Sequence, residues 1–157
     1  MPHELPLTAD QQRSLRCLAD MMISASAKYR IPGAGDDAIF ADILQSFGQD
    51  AHHVGDVLQM LERLSGGVFA DLPPARRDAV AAQLREQGGT ALMMLSRIIL
   101  FCYYRDDRVM RSLDMELRPP FPNGFGVEQG DWSLLDPVRR RAPFYRRVAT
   151  SCGVTYL

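Results

Sequence analysis

Residues 91–104 read ALMMLSRIILFCYY, the longest apolar run in the chain, broken only by Ser96 and Arg97. A helix that crosses a bilayer needs roughly 20 apolar residues, so this run is too short to span a membrane. It predicts instead a core helix that begins at Thr90 and continues to about Tyr104. Because such a helix is apolar on nearly every face, we expect it to lie at the buried centre of an α-helical bundle.

Further helices are predicted before this run, each from its own start or stop signal. Thr8 followed by Gln11 is a capping box, in which the threonine hydroxyl accepts one backbone N–H and the glutamine side chain accepts another. We expect this first helix to stop before Ile31-Pro32-Gly33, because proline disfavours the helical conformation in the preceding residue. A second helix is predicted to start at Asp36 or Asp37 and to stop at Gly48. A third is predicted over residues 54–64, with a stop at Gly66-Gly67. A fourth is predicted to start at Pro73-Pro74 and to stop at Gly88-Gly89.

The pattern changes after Asp106. Beyond one short turn that reaches Leu113, prolines and glycines interrupt the sequence repeatedly, and no alternation of period two predicts a strand. We therefore predict an all-α fold, an orthogonal bundle of about five helices over residues 1–113. Residues 114–157 are predicted to form a long irregular tail, rich in aromatic residues and proline, that wraps the bundle and a partner within one domain overall.

The composition of this tail indicates surface that needs burial. Disorder requires low hydrophobicity and few aromatic residues, yet the tail contains Phe121, Trp132 and Phe144. Aromatic residues and arginine are enriched at the energetic centres of protein interfaces. Two interpretations stay open, a strap over the protein's own bundle and an interface with another protein. The arginines at 139–141 are either a solvated face or a contact to an acidic partner surface.

Charge and cysteine content argue against several classes of partner and site. The 157 residues include 18 Lys and Arg against 19 Asp and Glu, which gives no overall field that would attract nucleic acid or an anionic membrane. Cys17, Cys102 and Cys152 are far apart and form no C-x-x-C, which argues against structural zinc and dithiol redox chemistry. We expect Cys17 and Cys102 to be core residues, and the odd number of cysteines fits a reducing compartment.

No residue pattern predicts catalysis or metal binding. His52 and His53 are adjacent, and adjacent positions on a helix point about 100° apart, so the pair is poorly placed to share a metal ion. The pairs Asp36-Asp37 and Asp106-Asp107 are interpreted as helix caps rather than acid–base pairs. The segment Pro32-Gly33-Ala34-Gly35 lacks the strand, the third glycine and the lysine of a phosphate-binding loop.

Three regions of the chain share a pattern with a known family. They are LTADQ at 7–11 with IPGA at 31–34, YYRDDRV at 103–109, and RPPFPNG at 118–124 with WSLLDPV at 132–138. On these residues the chain resembles the gluconate 2-dehydrogenase subunit 3 family, and the resemblance spans most of the chain. Members of that family are small subunits of membrane-associated or periplasmic sugar and alcohol dehydrogenases, whose large subunit is a flavoenzyme of the glucose–methanol–choline (GMC) class.

The resemblance implies a non-catalytic subunit with no cofactor of its own. It would bind and stabilise a large FAD-dependent GMC-type subunit in a heterodimer, and a cytochrome c subunit as a further partner stays open. Many members carry a twin-arginine export signal, whereas Arg76-Arg77 lies inside this chain and residues 1–7 lack such a signal. We therefore expect a cytoplasmic protein without direct membrane insertion, or a periplasmic one if an export signal precedes these residues.

The pattern and the resemblance together predict an interface with the large subunit. The predicted interface residues are Tyr103, Tyr104, Phe121, Pro122, Asn123, Trp132, Arg139, Arg140, Arg141 and Phe144. Two other functions stay open. One is a free-standing helical ligand-binding or regulatory domain, with a pocket lined by Met93, Met94 and Phe101. The other is a small metal- or haem-dependent enzyme.

Overall fold

The computed structural model describes residues 7–117, 124 and 129–142. The chain divides into two units, residues 1–118 and residues 119–157. The described part of the first unit contains the α-helices α1 (Ala9–Met22), α2 (Asp37–Gln45), α3 (Ala51–Ser65), α4 (Pro74–Gln87), α5 (Gly89–Arg105) and α6 (Asp107–Ser112). No β-strand occurs among the described residues, so the predicted all-α fold is confirmed.

The second unit contains short helical turns in its described part. A 3₁₀ turn, Trp132–Leu135, leads directly into α7 (Asp136–Arg139). The Asp131 side chain begins the 3₁₀ turn by accepting the backbone N–H of Ser133 at 3.0 Å. The predicted wrapping of the tail around the bundle and a partner stays a prediction.

Two helix starts and one helix end are set by the residues at the helix termini. The Thr8 hydroxyl accepts the Gln11 backbone N–H at 3.2 Å, and the Gln11 side chain accepts the Thr8 N–H at 3.0 Å, which confirms the capping box. Asp36 caps α2 by accepting the Ala38 N–H at 3.1 Å. At the end of α3, Gly66 adopts the left-handed conformation, with φ of 68°, that favours glycine.

One helix ends well ahead of its predicted stop signal, and the predicted end of another is wrong. α1 stops at Met22, which agrees with a stop before Ile31 but lies eight residues ahead of Arg30, because the following loop is closed by its own hydrogen bonds. Ser26 and Ile31 exchange backbone hydrogen bonds at 3.0 and 3.2 Å, and the Ala34 N–H donates to the Ile23 carbonyl at 2.8 Å. α2 ends at Gln45, and Gly48 begins a 3₁₀ turn, Gly48–Asp50, instead of ending the helix.

α5 is the helix against which most of the bundle packs. It contacts α2, α3, α4 and α6, and its inward side buries Leu95, Ile98, Ile99, Cys102 and Tyr103. The predicted central position is therefore correct, but the predicted burial on every side is wrong. The neighbouring helices leave the outer side of α5 uncovered.

Ion pairs join elements that are distant in sequence. The Arg105 guanidinium contacts both carboxylate oxygens of Asp42 at 2.7 Å and so joins α5 to α2. Arg108 contacts Asp36, the cap of α2, at 2.6 Å and Asp106, the cap of α6, at 2.9 Å. These hydrogen bonds from Arg108 lower the pKa of both aspartates, as expected for carboxylates held beside a cation.

The described helices also bear on membrane insertion. None of them combines the length and the apolar character that crossing a bilayer requires.

Candidate docking surface on the fifth helix

The outer side of α5 carries a continuous row of large side chains. Met93, Leu100, Phe101 and Tyr104 expose 59, 42, 61 and 51% of their surface, whereas Leu95 on the inner side exposes 0%. With Arg97 between them, these residues follow the spacing of a single helix face. They span about 17 Å along the axis, at a rise of 1.5 Å per residue. We call Met93, Arg97, Leu100, Phe101 and Tyr104 the α5 surface.

Arg97 is part of this surface rather than an interruption of it. Its guanidinium carbon lies 5.3 Å from the centroid of the Phe101 ring, which is within the range of a cation–π contact. Among the described residues, no carboxylate lies within ion-pair distance of Arg97. The surface thus combines apolar side chains with one cation that has no acidic partner there.

An open groove runs beside the α5 surface. It has a volume of about 630 Å³, and its lining includes Ser46 and Asp50 as well as Phe101, Cys102 and Tyr104. Cys102 is 2% exposed, and its burial raises the pKa of its thiol. At neutral pH the thiol therefore stays protonated and is a poor nucleophile. The groove offers shape and apolar contact rather than a reactive group.

The structure separates the two adjacent tyrosines. Tyr104 lies on the α5 surface, whereas Tyr103 is 3% exposed and donates a hydrogen bond from its hydroxyl to the Pro32 carbonyl at 3.2 Å. Burial also raises the pKa of Tyr103. Tyr103 therefore ties α5 to the loop that contains Gly33, and its position inside the bundle leaves it out of the surface that a partner could contact.

These contacts bring together two of the regions that carry the family resemblance. Residues 31–34 meet Tyr103, and Arg108 reaches Asp36 just beyond that loop. Gly33 is required there for space, since a Cβ at this position would clash with Asp20 Oδ1 and would lie 2.7 Å from the Ala25 nitrogen. Gly33, Tyr103 and Arg108 thus have roles in folding that explain their types without reference to a ligand.

The described tail residues form a second exposed apolar area. Trp132 exposes 62% of its surface and donates from its indole nitrogen to Gln129 Oε1 at 3.3 Å. Leu134, Leu135 and Val138 are exposed as well. The predicted interface residues Arg139, Arg140 and Arg141 are exposed, and Arg139 lies 3.7 Å from Asp136. The predicted residues Phe121, Pro122, Asn123 and Phe144 lie outside the described residues.

The histidine pair and the predicted pocket residues are weaker candidates for a binding site. The rings of His52 and His53 lie 3.8 Å apart between centroids, closer than helical geometry alone suggested, yet they are joined by no third ligand. In the described part of the chain, no group of three or more His, Cys, Asp or Glu side chains could hold a metal ion. Met93 and Phe101, predicted as the lining of an internal pocket, are exposed on the outer side of α5.

Sequence reasoning missed Arg97 and Leu100 as surface residues. The run at 91–104 is apolar around the whole helix, and this pattern gives no indication of which side the neighbouring helices cover. Arg97 was the available signal, because a charged residue without a partner is rarely placed in a core.

Comparison with known proteins adds no identification. The chain matches no protein-family model, no curated protein and no solved structure. The family stays a prediction from the residues quoted above.

Proposed function

We propose that this protein is a non-catalytic small subunit that binds and stabilises a large FAD-dependent oxidoreductase of the GMC class. The observation that carries the proposal is the α5 surface, an exposed apolar row on the central helix of the bundle. The identity of the partner rests on the resemblance to the gluconate 2-dehydrogenase subunit 3 family. In this proposal FAD belongs to the large subunit.

The exposed apolar side chains of α5 lie next to one another on one face of the helix. Single exposed apolar residues are ordinary on protein surfaces, but contiguous apolar patches mark interaction sites. Full burial of one such side chain contributes about 1.5–3 kcal/mol, so covering Met93, Leu100 and Phe101 together favours association. The bundle does not need these side chains for its own core, which leaves them available to a partner.

The tail supports a second contact with the same partner. Large apolar side chains favour burial, yet the described part of the tail exposes Trp132, Leu134 and Val138. Tryptophan is among the residue types most enriched at interface hot spots. We place Trp132 in the proposed interface, with Arg139, Arg140 and Arg141 favouring encounter with an acidic surface.

The mechanism of stabilisation is mass action. A protein that binds only the folded large subunit lowers the free energy of that state and leaves the unfolded state unchanged. The gain is about 2.7 kcal/mol when the free concentration of the small subunit is 100 times its dissociation constant. No chemical step by the small subunit is required.

Co-expression with a GMC-type flavoprotein encoded beside this chain tests the proposal. We expect purification through a tag on this chain to yield a yellow heterodimer, identified by its elution size and flavin absorbance. Phe101→Asp should lose the flavoprotein, because a carboxylate would be buried in an apolar contact. Tyr29→Asp is the matched control, since Tyr29 is 63% exposed but lies outside α5.

Two results would count against the proposal in different ways. If both variants retain the flavoprotein like the parent chain, the α5 surface is not the docking site. If the parent chain elutes as a colourless monomer and captures no flavoprotein, the accessory-subunit function is rejected.

A further inference from the structure

Arg97 occupies the middle of the α5 surface. It lies one helical turn after Met93 and about one turn before Leu100 and Phe101, and its guanidinium stacks on the Phe101 ring. A partner that covers the apolar side chains on both sides therefore also covers Arg97. The charge would be removed from water together with its neighbours.

Among the described residues, the bundle forms no ion pair with Arg97, although it forms one with another arginine of α5. Arg105, about two turns further along α5, contacts both carboxylate oxygens of Asp42. Asp50 lines the groove beside Arg97, yet no ion pair joins the two among the described residues. Arg97 is thus charged, stacked on Phe101, and without an ion-pair partner among the described residues.

Covering such a group is unfavourable unless the partner compensates for the lost water. A buried charge needs an opposite charge or several hydrogen bonds, and the planar guanidinium fits a carboxylate through two parallel hydrogen bonds. Arginine is also better suited than lysine to an ion pair in an apolar setting, because it is more weakly hydrated. The complementary surface is therefore apolar with a carboxylate at its centre.

A second copy of this chain does not offer that chemistry at the centre of its α5 surface, because Asp50 lines the adjacent groove and is not part of the surface itself. In a twofold dimer formed through the centre of the α5 surface, each residue near the axis faces the same residue of the other copy. Arg97 would then approach Arg97 of the other copy inside an apolar contact, where like charges repel strongly. The α5 surface contains no acidic residue to relieve this repulsion.

We infer that the partner of the α5 surface is a protein that places an Asp or Glu carboxylate against Arg97 within an apolar patch. This inference rests on the proposed function and specifies the surface of the large subunit that docks here. It makes Arg97 a specificity determinant that favours the hetero-complex over self-association. Phe101 contributes both apolar area and the stacking that orients the guanidinium.

The test compares variants of Arg97 for binding to the purified FAD-loaded large subunit, by titration calorimetry. Arg97→Met keeps much of the apolar stem and removes the charge, and truncating one member of a buried charge pair should weaken binding by about 30-fold or more. Arg97→Glu should lose more than Arg97→Met, because it places one carboxylate against another. Arg97→Lys should lose least, since it keeps the positive charge. Arg76→Met, on an exposed arginine of α4, is the matched control and should bind like the parent.

The outcomes separate this inference from the proposed function. The order Lys, Met, Glu of increasing loss, together with an unaffected Arg76→Met control, supports a carboxylate opposite Arg97. If Phe101→Asp abolishes binding while Arg97→Met and Arg97→Glu bind like the parent, docking through α5 stands and the carboxylate is disproved. Equal losses for Arg97→Met and Arg97→Glu also overturn it, since a neutral acceptor would then suffice. A parent chain that does not bind rejects the proposed function itself.

Discussion

At the scale of single residues, Gly33 decides whether the loop after α1 can close. A Cβ at this position would clash with Asp20 Oδ1 and would lie within 3.0 Å of backbone atoms of Ala25 and Ile23. These backbone atoms cannot move away without opening the loop. The loop is also held by the Tyr103 hydroxyl, which donates to the carbonyl of Pro32, the residue before Gly33. The close approach of backbone to side chain explains why glycine stands here.

We predict that Gly33→Ala destabilises the protein by about 2 kcal/mol or more, in the range of overpacked sites where the backbone must shift. Gly55→Ala is the matched control, because Gly55 lies within α3 with no atom within 4 Å of the added Cβ. Alanine is favoured over glycine inside a helix, so Gly55→Ala should raise stability by up to about 1 kcal/mol. Urea denaturation followed by circular dichroism measures both. Equal stability of the two variants would show that the loop is not constrained as described.

At the scale of elements, α5 has two sides with different roles. Leu95 is 0% exposed and lies in the core, whereas Leu100 is 42% exposed on the α5 surface. The two positions share a residue type and a helix but differ in what surrounds them. The inner side stabilises the bundle, and we propose the outer side as the docking surface.

These two leucines provide a matched pair of substitutions. Leu95→Ala removes a buried side chain and should lower the free energy of unfolding by about 2–5 kcal/mol. Leu100→Ala should lower it by less than about 1 kcal/mol, because its side chain contributes less to the core. Thermal and urea denaturation of the isolated chain measure both values. A loss for Leu100→Ala as large as that for Leu95→Ala would show that the outer side is buried in the free protein.

The sequence predicted those elements whose signals are local. The caps at Thr8 and Asp36 and the stop at Gly66 depend on residues a few positions apart, and all three are confirmed. The end of α1 could not be predicted in this way, because it depends on pairing between Ser26 and Ile31 and between Ile23 and Ala34. Local propensity contains no information on such loop closure.

The candidate site was predicted less well, for a similar reason. Helical periodicity identified α5 but could not distinguish Tyr103, which faces the Pro32 carbonyl, from Tyr104, which faces outward. Only the packing of α2, α3, α4 and α6 determines which side remains uncovered. The exposure of Arg97 and Leu100 is therefore a property of the assembled bundle.

At the scale of the whole molecule, the protein exposes apolar area on both of its units. The α5 surface belongs to residues 1–118, and Trp132 with Leu134 and Val138 belongs to residues 119–157. The near balance of acidic and basic residues gives no long-range field that would draw it to nucleic acid. These features favour a protein partner, and they give the tail a role that can be measured separately from that of α5.

Trp132 is the only tryptophan of the chain and therefore reports on the tail. At 62% exposure, its fluorescence in the free protein should be readily quenched by acrylamide. Binding to a large subunit whose own tryptophans have been replaced by phenylalanine should reduce this quenching several-fold, because the contact excludes the quencher. The free chain with Leu134→Ser is the control, because it shows how much a change close to Trp132 alters the quenching when no partner is bound. Unchanged quenching in a complex that has formed would remove Trp132 from the interface.

The central claim is that this chain stabilises a flavoenzyme by binding it through α5. The most direct measurement follows flavin release from the FAD-loaded large subunit on heating, alone and with excess small subunit. We predict a higher release temperature with the parent chain and with Tyr29→Asp, and no increase with Phe101→Asp. A release temperature that is the same with and without the parent chain would contradict the account.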